Sequence, residues 1–209
     1  MEKLVLLFFA TFVAAIIGSA PPGLLNVNAA KTSVDKGKKQ GLAFSLGITV
    51  MVMLQVYIAV RIAKFLSRNT DIVAWLMKVA VVIFAILAVF FFIKASKDLQ
   101  EQVVLRKTSS KNNFTKGSLL AALNLLQVPF YSTLNAFFHQ HQMMRYRVLD
   151  EVVFILGAGL GTFLVMYTYV VFIKKIMNKT KQFSKNANYI LSALMIVLLI
   201  ITLIRITNG

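Results

Sequence analysis

Long uncharged, apolar runs alternate along this chain with short basic ones. Leu4 to Ala30, Gln40 to Val60, Gly117 to Phe138, Val152 to Ile173 and Asn186 to Ile204 hold no charged residue, and Ile72 to Ile93 holds only Lys78. A helix rising 1.5 Å per residue crosses a bilayer in about 20 residues, so each run is long enough to span. Lys78 lies near enough to one end of its run for the side chain to snorkel to the headgroups. The pattern predicts an all-α membrane protein with six transmembrane helices. The first run also imitates a secretory signal, with Lys3, an apolar stretch to Ile17 and then Gly18-Ser19-Ala20. Pro21 would follow the cut and hinder it, and the uncharged stretch continues to Ala30, so a retained first helix is expected.

Composition agrees with the pattern. Hydrophobic residues make up 58% of the 209 and charged residues only 14%, which is too apolar for a soluble globule of this size. A soluble enzyme, a nucleic-acid binder and a disordered tail are excluded. The 23 basic residues against 7 acidic ones give a net +16, and their positions set an orientation. Lys31, Lys36, Lys38 and Lys39 mark the first loop, Lys94, Lys97, Arg106, Lys107, Lys111 and Lys116 the third, and Lys174, Lys175, Lys179, Lys181 and Lys185 the fifth. Lys3, Arg61, Lys64, Arg68, Lys78, Arg145, Arg147 and Arg205 fall on the other side. Basic residues in short loops stay cytoplasmic, which places the odd loops inside and both termini outside. The loops then read as topology signals in contact with anionic lipid, with no nucleic-acid partner.

Catalytic chemistry has little to work with. There is no cysteine, hence no disulfide framework, thiolate metal site or dithiol redox pair. No P-loop, HExxH or nucleophile elbow occurs. All seven acids, Glu2, Asp35, Asp71, Asp98, Glu101, Asp150 and Glu151, fall in expected termini or loops. The expectation is a protein that is not an enzyme, with no catalytic residues and no cofactor. His139, His141, Met143 and Met144 offer soft and imidazole ligands that suit copper, but without a second cluster an interfacial loop is the better account, and no metal site is expected.

The spans carry landmarks at a nearly constant spacing. Pro22 recurs as Pro129 and Asn28 as Asn135, Gly47 corresponds to Gly157, and Phe92-Ile93-Lys94 to Leu203-Ile204-Arg205. A duplicated three-helix unit must insert with inverted orientation. The expected organisation is therefore two inverted three-helix repeats, residues 1–95 and 114–209, joined by a cytoplasmic linker loop at 96–113.

Helix-breaking and polar residues inside the spans mark the candidate site. Ala20-Pro21-Pro22-Gly23 should break the first helix, because two prolines remove two donors and obstruct the preceding turn, and the glycine removes steric resistance to a bend. Broken backbone at membrane depth is tolerated only against protein or a watery cavity. The segment from Gly23 then offers free N–H groups to an anion, with Asn26 and Asn28 close behind. The fourth span repeats the theme with Asn124, Gln127, Pro129, Tyr131 and Asn135, Pro129 being expected to kink it. Asn124 reads as interhelical glue, the others as lining. The substrate-binding set is thus Pro22, Gly23, Asn26, Asn28, Asn124, Gln127, Pro129, Tyr131 and Asn135. Thr49, Gln55, Thr162 and Tyr167 could serve either role, and Gly37, Gly41, Gly47, Gly157, Gly159 and Gly161 read as close-packing positions.

Pro21-Pro22-Gly23, the Gly37, Gly41 and Leu46-Gly47 positions that follow, and the second-half Phe114, Gly117, Asn124 and Pro129 resemble the lysine-exporter (LysE/RhtB) family of small amino-acid efflux proteins over nearly the whole length. Leu24 stands where the family has a second proline, Val128-Pro129 where it has Asn-Pro, and no acid follows Leu46-Gly47. The resemblance implies a secondary active exporter of amino acids or similar small metabolites, working by alternating access in a bacterial cytoplasmic (inner) membrane. Its partners would be a small-molecule substrate and the lipid bilayer, with homo-oligomerisation left open. The alternatives are a non-transporting structural or assembly membrane protein, and an exporter of another solute such as a metal ion. With no buried carboxylate expected, a neutral or zwitterionic substrate is favoured over a cationic one.

Overall fold

A computed structural model describes residues 1–21, 23–69 and 112–172, isolated positions between 72 and 93, and the helical backbone of 173–207 with side chains at only a few positions. The described residues are entirely helical between turns. Helix α1 is Glu2–Ser19. Pro21 has no N–H to continue it, and the chain restarts as α2, Leu24–Lys36. The expected first span from Leu4 to Ala30 is therefore two helices. Gly23 precedes α2 in an extended conformation (φ −127°, ψ −177°) that any residue adopts, so the bend does not depend on glycine.

The expected first loop is almost absent. Helix α2 runs to Lys36 and α3, Lys38–Leu66, begins two residues later. Gly37 alone makes the turn, at φ 90° with nothing within 4 Å of where a Cβ would stand, so its role is conformational rather than close packing. Helix α4 is Asn113–Ala122, with the Asn112 side chain accepting from the Phe114 N–H at 3.0 Å as its N-cap. Four residues, Leu123 to Leu126, separate it from α5, Gln127–Gln140. Pro129 thus sits in the first turn of α5, where a missing N–H is harmless and the ring hinders helix before it. The fourth expected span is interrupted outright instead of kinked. Helix α6 is Val148–Thr207, with non-helical backbone at Phe172 (φ −104°, ψ 17°).

Among the described residues, three helices are long and apolar enough to cross a membrane: Glu2–Ser19, Lys38–Leu66 and Val148–Phe172. Apart from an apolar helix at Val81–Phe90 and the helical backbone up to Thr207, the expected third and sixth spans lie outside the described residues, as does the linker before Asn112. The chain forms two compact units, Met1–Ser67 with Arg106–Ile176, and Arg68–Leu105 with Met177–Gly209. In the first unit α3 packs along α4 and α5 and against α2. Its surface is apolar where a soluble protein would be polar. Val5, Leu6 and Phe9 on α1, Val50 and Leu54 on α3, and Leu156 and Leu160 on α6 are exposed, while Thr11, Ser45, Gln55, Asn135 and Thr162 are buried. Lipid is the solvent that suits this inversion.

Small and hydroxylic residues bring the helices together. The α-carbon of Gly47 lies against the Phe114 carbonyl and that of Gly117 against the Phe44 carbonyl, so α3 and α4 touch backbone to backbone. Gly157 and Gly161 do the same for α1 against α6, facing the Phe8 and Phe12 carbonyls. Ser118 Oγ donates to Gly47 O at 3.0 Å, Ser132 Oγ to Ala59 O at 3.2 Å and Ser33 Oγ to Val170 O at 3.1 Å. Each replaces a hydrogen bond that water cannot supply in a membrane.

Candidate substrate site

The two interruptions meet within the first unit. A cavity of about 350 Å³ is lined by Gly18, Ser19, Pro21 and Gly23 from the first break, by Asn124 and Gln127 from the second, and by Thr162 from α6. Leu25, Leu120, Leu123 and Met166 supply apolar wall. Among the described residues, no ionisable side chain lines it. What it offers instead is backbone. The first turn of α2 has N–H groups with no side-chain cap, the positive end of a 13-residue helix. Beside it the chain ends two helices, α1 and α4, at their carbonyl poles.

Those carbonyls would be costly in hydrocarbon, and each set has an amide partner. Asn26 Nδ2 donates to Ser19 O at 2.8 Å and to Pro21 O at 2.9 Å, and the Tyr169 hydroxyl donates to Ala20 O at 2.9 Å. Gln55 Nε2 donates to Ala121 O at 3.1 Å and to Asn124 O at 3.3 Å. Asn26 therefore ties the end of α1 to the start of α2, and its two amide protons are spent on protein. Gln55, reaching across from α3, does the same for α4. The polar character of Gln55 in an apolar run was the signal for it, but its target was not readable along the chain. Tyr169 gave no signal at all.

The nine expected residues separate into groups. Gly23, Asn26, Asn124 and Gln127 line the cavity together, and Pro22 lies outside the described residues. Asn28, Pro129, Tyr131 and Asn135 are not among its lining. Asn28 Nδ2 folds back on Leu24 O at 2.6 Å in its own helix. Asn135 Nδ2 contacts Met144 Sδ at 2.7 Å and is fully buried. Tyr131 packs edge to face with Phe130 and Phe154, at 4.9 and 6.2 Å between centroids. Tyr131 and Asn135 follow Gln127 at i+4 and i+8 along α5, so a rise of 1.5 Å per residue sets them about 6 and 12 Å farther along the helix than the turn that meets the cavity. Thr162, only a weak candidate in the sequence, lines the cavity with a buried hydroxyl that makes no hydrogen bond within the protein.

Charge collects instead at the end of this unit where α3 finishes and α6 starts. Glu151, expected in a loop, is buried in the first turn of α6 and forms an ion pair with Arg61, while Lys64 Nζ stands 3.5 Å from its other oxygen. Arg61 lies over the Tyr57 ring. His139 and His141 each engage a backbone carbonyl through Nδ1, at Met144 and Phe137. At the opposite end Asn113 Nδ2 donates to Gln40 Oε1 at 2.6 Å and its Oδ1 accepts from Lys36 at 3.4 Å.

A helix-lined cavity at paired helix breaks, with no charged side chain among its described lining, in a unit whose surface is made for lipid, suits a membrane carrier. No curated protein and no solved structure matches the chain. The family model of the LysE type translocators matches residues 16–205, nearly the whole chain, and the protein belongs to that family of membrane transporters.

Proposed function

We propose that the protein is a secondary active exporter of amino acids or similar small metabolites. It works by alternating access between two inverted three-helix repeats, residues 1–95 and 114–209, with 96–113 as a cytoplasmic linker and both termini outside a bacterial inner membrane. One observation carries the reading: the cavity at the two helix breaks has both helix poles and neutral polar groups on its walls and, among the described residues, no ionisable side chain. A zwitterion suits such walls. Its carboxylate is attracted to the uncapped N–H groups of α2, its ammonium to the carbonyls at the ends of α1 and α4, and neither needs a buried counter-charge. Gly23, Asn124, Gln127 and Thr162 are the contacts proposed, with Asn26 holding the break in place.

Efflux from proteoliposomes loaded in turn with a panel of amino acids tests this. Saturable efflux of neutral amino acids is the expected result. Preferential export of lysine or arginine would overturn the zwitterion argument, and saturable efflux of none of the panel would leave the structural or metal-exporting alternatives in its place.

A further inference from the structure

A second cavity, of about 230 Å³, lies at the end of the first unit where α1 and α6 both begin, away from the helix breaks. Lys3, Arg145 and Arg147 line it, with Asp150 as the one acid among the described residues of the lining. The Asp150 carboxylate is already engaged, accepting from the Arg145 backbone N–H at 2.9 Å. Among the described residues the ion pairs are Arg61 and Lys64 with Glu151, so none of the three cations here is in an ion pair, and Asp150 offsets only one of their charges. The loop that carries the arginines is nevertheless well anchored. Tyr146, between them, packs on the His139 ring at 4.4 Å and beneath Lys64, and Gln142 and Tyr146 hold left-handed backbone, each at φ 56°. Three cations facing one acid leave an excess of positive charge around the cavity, which a bound anion would offset. Phosphate is the group that arginine's planar fork fits best.

The other walls say which phosphate. Leu4 and Leu149 line the same cavity, and beyond it Val5 and Phe9 on α1 and Val148 and Val152 on α6 are exposed apolar side chains. A phosphodiester at the cations and an acyl chain along these two helices satisfy both halves of the surface at once. We propose that this cavity binds one anionic phospholipid, its headgroup phosphate held by Lys3, Arg145 and Arg147.

Native mass spectrometry of the full chain in detergent, with added phosphatidylglycerol, phosphatidylcholine or inorganic phosphate, tests the proposal. One phosphatidylglycerol should be retained about tenfold or more over phosphatidylcholine, the equivalent of roughly one or two cation–lipid contacts. The double substitution Arg145→Gln with Arg147→Gln should abolish that preference. Lys38→Gln with Lys39→Gln, which removes equal charge at the start of α3, should leave it intact. Lys3→Gln, in an exposed first turn, should weaken it in a variant that places no demand on the loop. Equal retention of the two lipids, equal loss in the Lys38/Lys39 control, or full retention in both the arginine and the Lys3 variants would overturn the site. Displacement of the lipid by millimolar inorganic phosphate would assign the cavity to a free anion instead. None of these readings depends on what the protein transports.

Discussion

At the scale of single residues, position decides function more than residue type does. Asn26, Asn28 and Asn135 are all asparagines in membrane helices, yet the first bridges a broken helix, the second bonds to its own turn and the third is buried against Met144. Gly23 is the residue whose small size matters to the cavity and not to the bend. A Cβ there would meet nothing closer than Pro21 O at 3.9 Å, so a side chain projects into open space without backbone strain. Gly23→Ala is expected to transport near the parental rate, while Gly23→Leu folds normally and loses most transport. Efflux measured on monodisperse protein distinguishes the two, and equal activity in both would move the site elsewhere. Glu151 makes the opposite kind of contribution. Removing a fully buried partner costs about 3–5 kcal/mol, but the Arg61 side chain is 41% exposed and water offsets much of that. Glu151→Ala should therefore destabilise the solubilised protein by about 1–2 kcal/mol, visible as a lowered unfolding midpoint.

At the scale of elements, each interruption is stabilised by an amide that donates to two backbone carbonyls, Asn26 from the first turn of α2 at the first break and Gln55 from the uninterrupted α3 at the second. Leu123, Leu125 and Leu126 are among the most exposed apolar residues of the chain, so the second break is not held by burial of its own side chains. Gln55 holds it, by donating to two carbonyls of the α4 end. Gln55→Leu keeps the volume and removes the donor, leaving Ala121 O and Asn124 O with only their backbone partners, the Asn124 and Gln127 N–H groups, at a cost of about 0.5–1.5 kcal/mol. The variant should unfold at lower temperature and show faster backbone hydrogen exchange confined to residues 119–127. Uniform exchange across the chain would mean that Gln55 is an ordinary core residue. Asn26→Leu should act likewise at the first break, because its amide performs the same task there.

At the scale of the whole molecule, the absence of cysteine makes orientation directly measurable. In intact cells, single cysteines introduced at Lys38 or Lys181 should be shielded from an impermeant thiol reagent, and ones at Arg68 or Arg145 should react. Labelling of the first pair would overturn the proposed topology and with it the assignment of the cytoplasmic loops. The first unit already separates the two ends. Arg61, Glu151 and Arg145 gather at one, and Lys36, Gln40 and Asn113 at the other.

What the sequence determined by itself follows from one-dimensional physics. Runs of apolar residues long enough to cross hydrocarbon specify a helical membrane protein, and Pro21 specifies a break after α1, because a missing N–H acts on the nearest turn wherever the helix lies. The family could be read in the same way, from Pro22, Gly23, Gly47, Gly117 and Pro129. Only the tertiary structure decided that Gly37 alone separates α2 from α3, since a positive φ is a property of the folded turn. The same holds for the partners of Gln55 and Tyr169, for the burial of Glu151 and for which polar residues line the cavity, Gln127 and Thr162 rather than Tyr131 and Asn135. Each of these depends on which helix faces which, and residues some 70 to 150 positions apart acquire that relation only when glycine contacts such as Gly47 with Phe114 and Gly161 with Phe12 bring their backbones together.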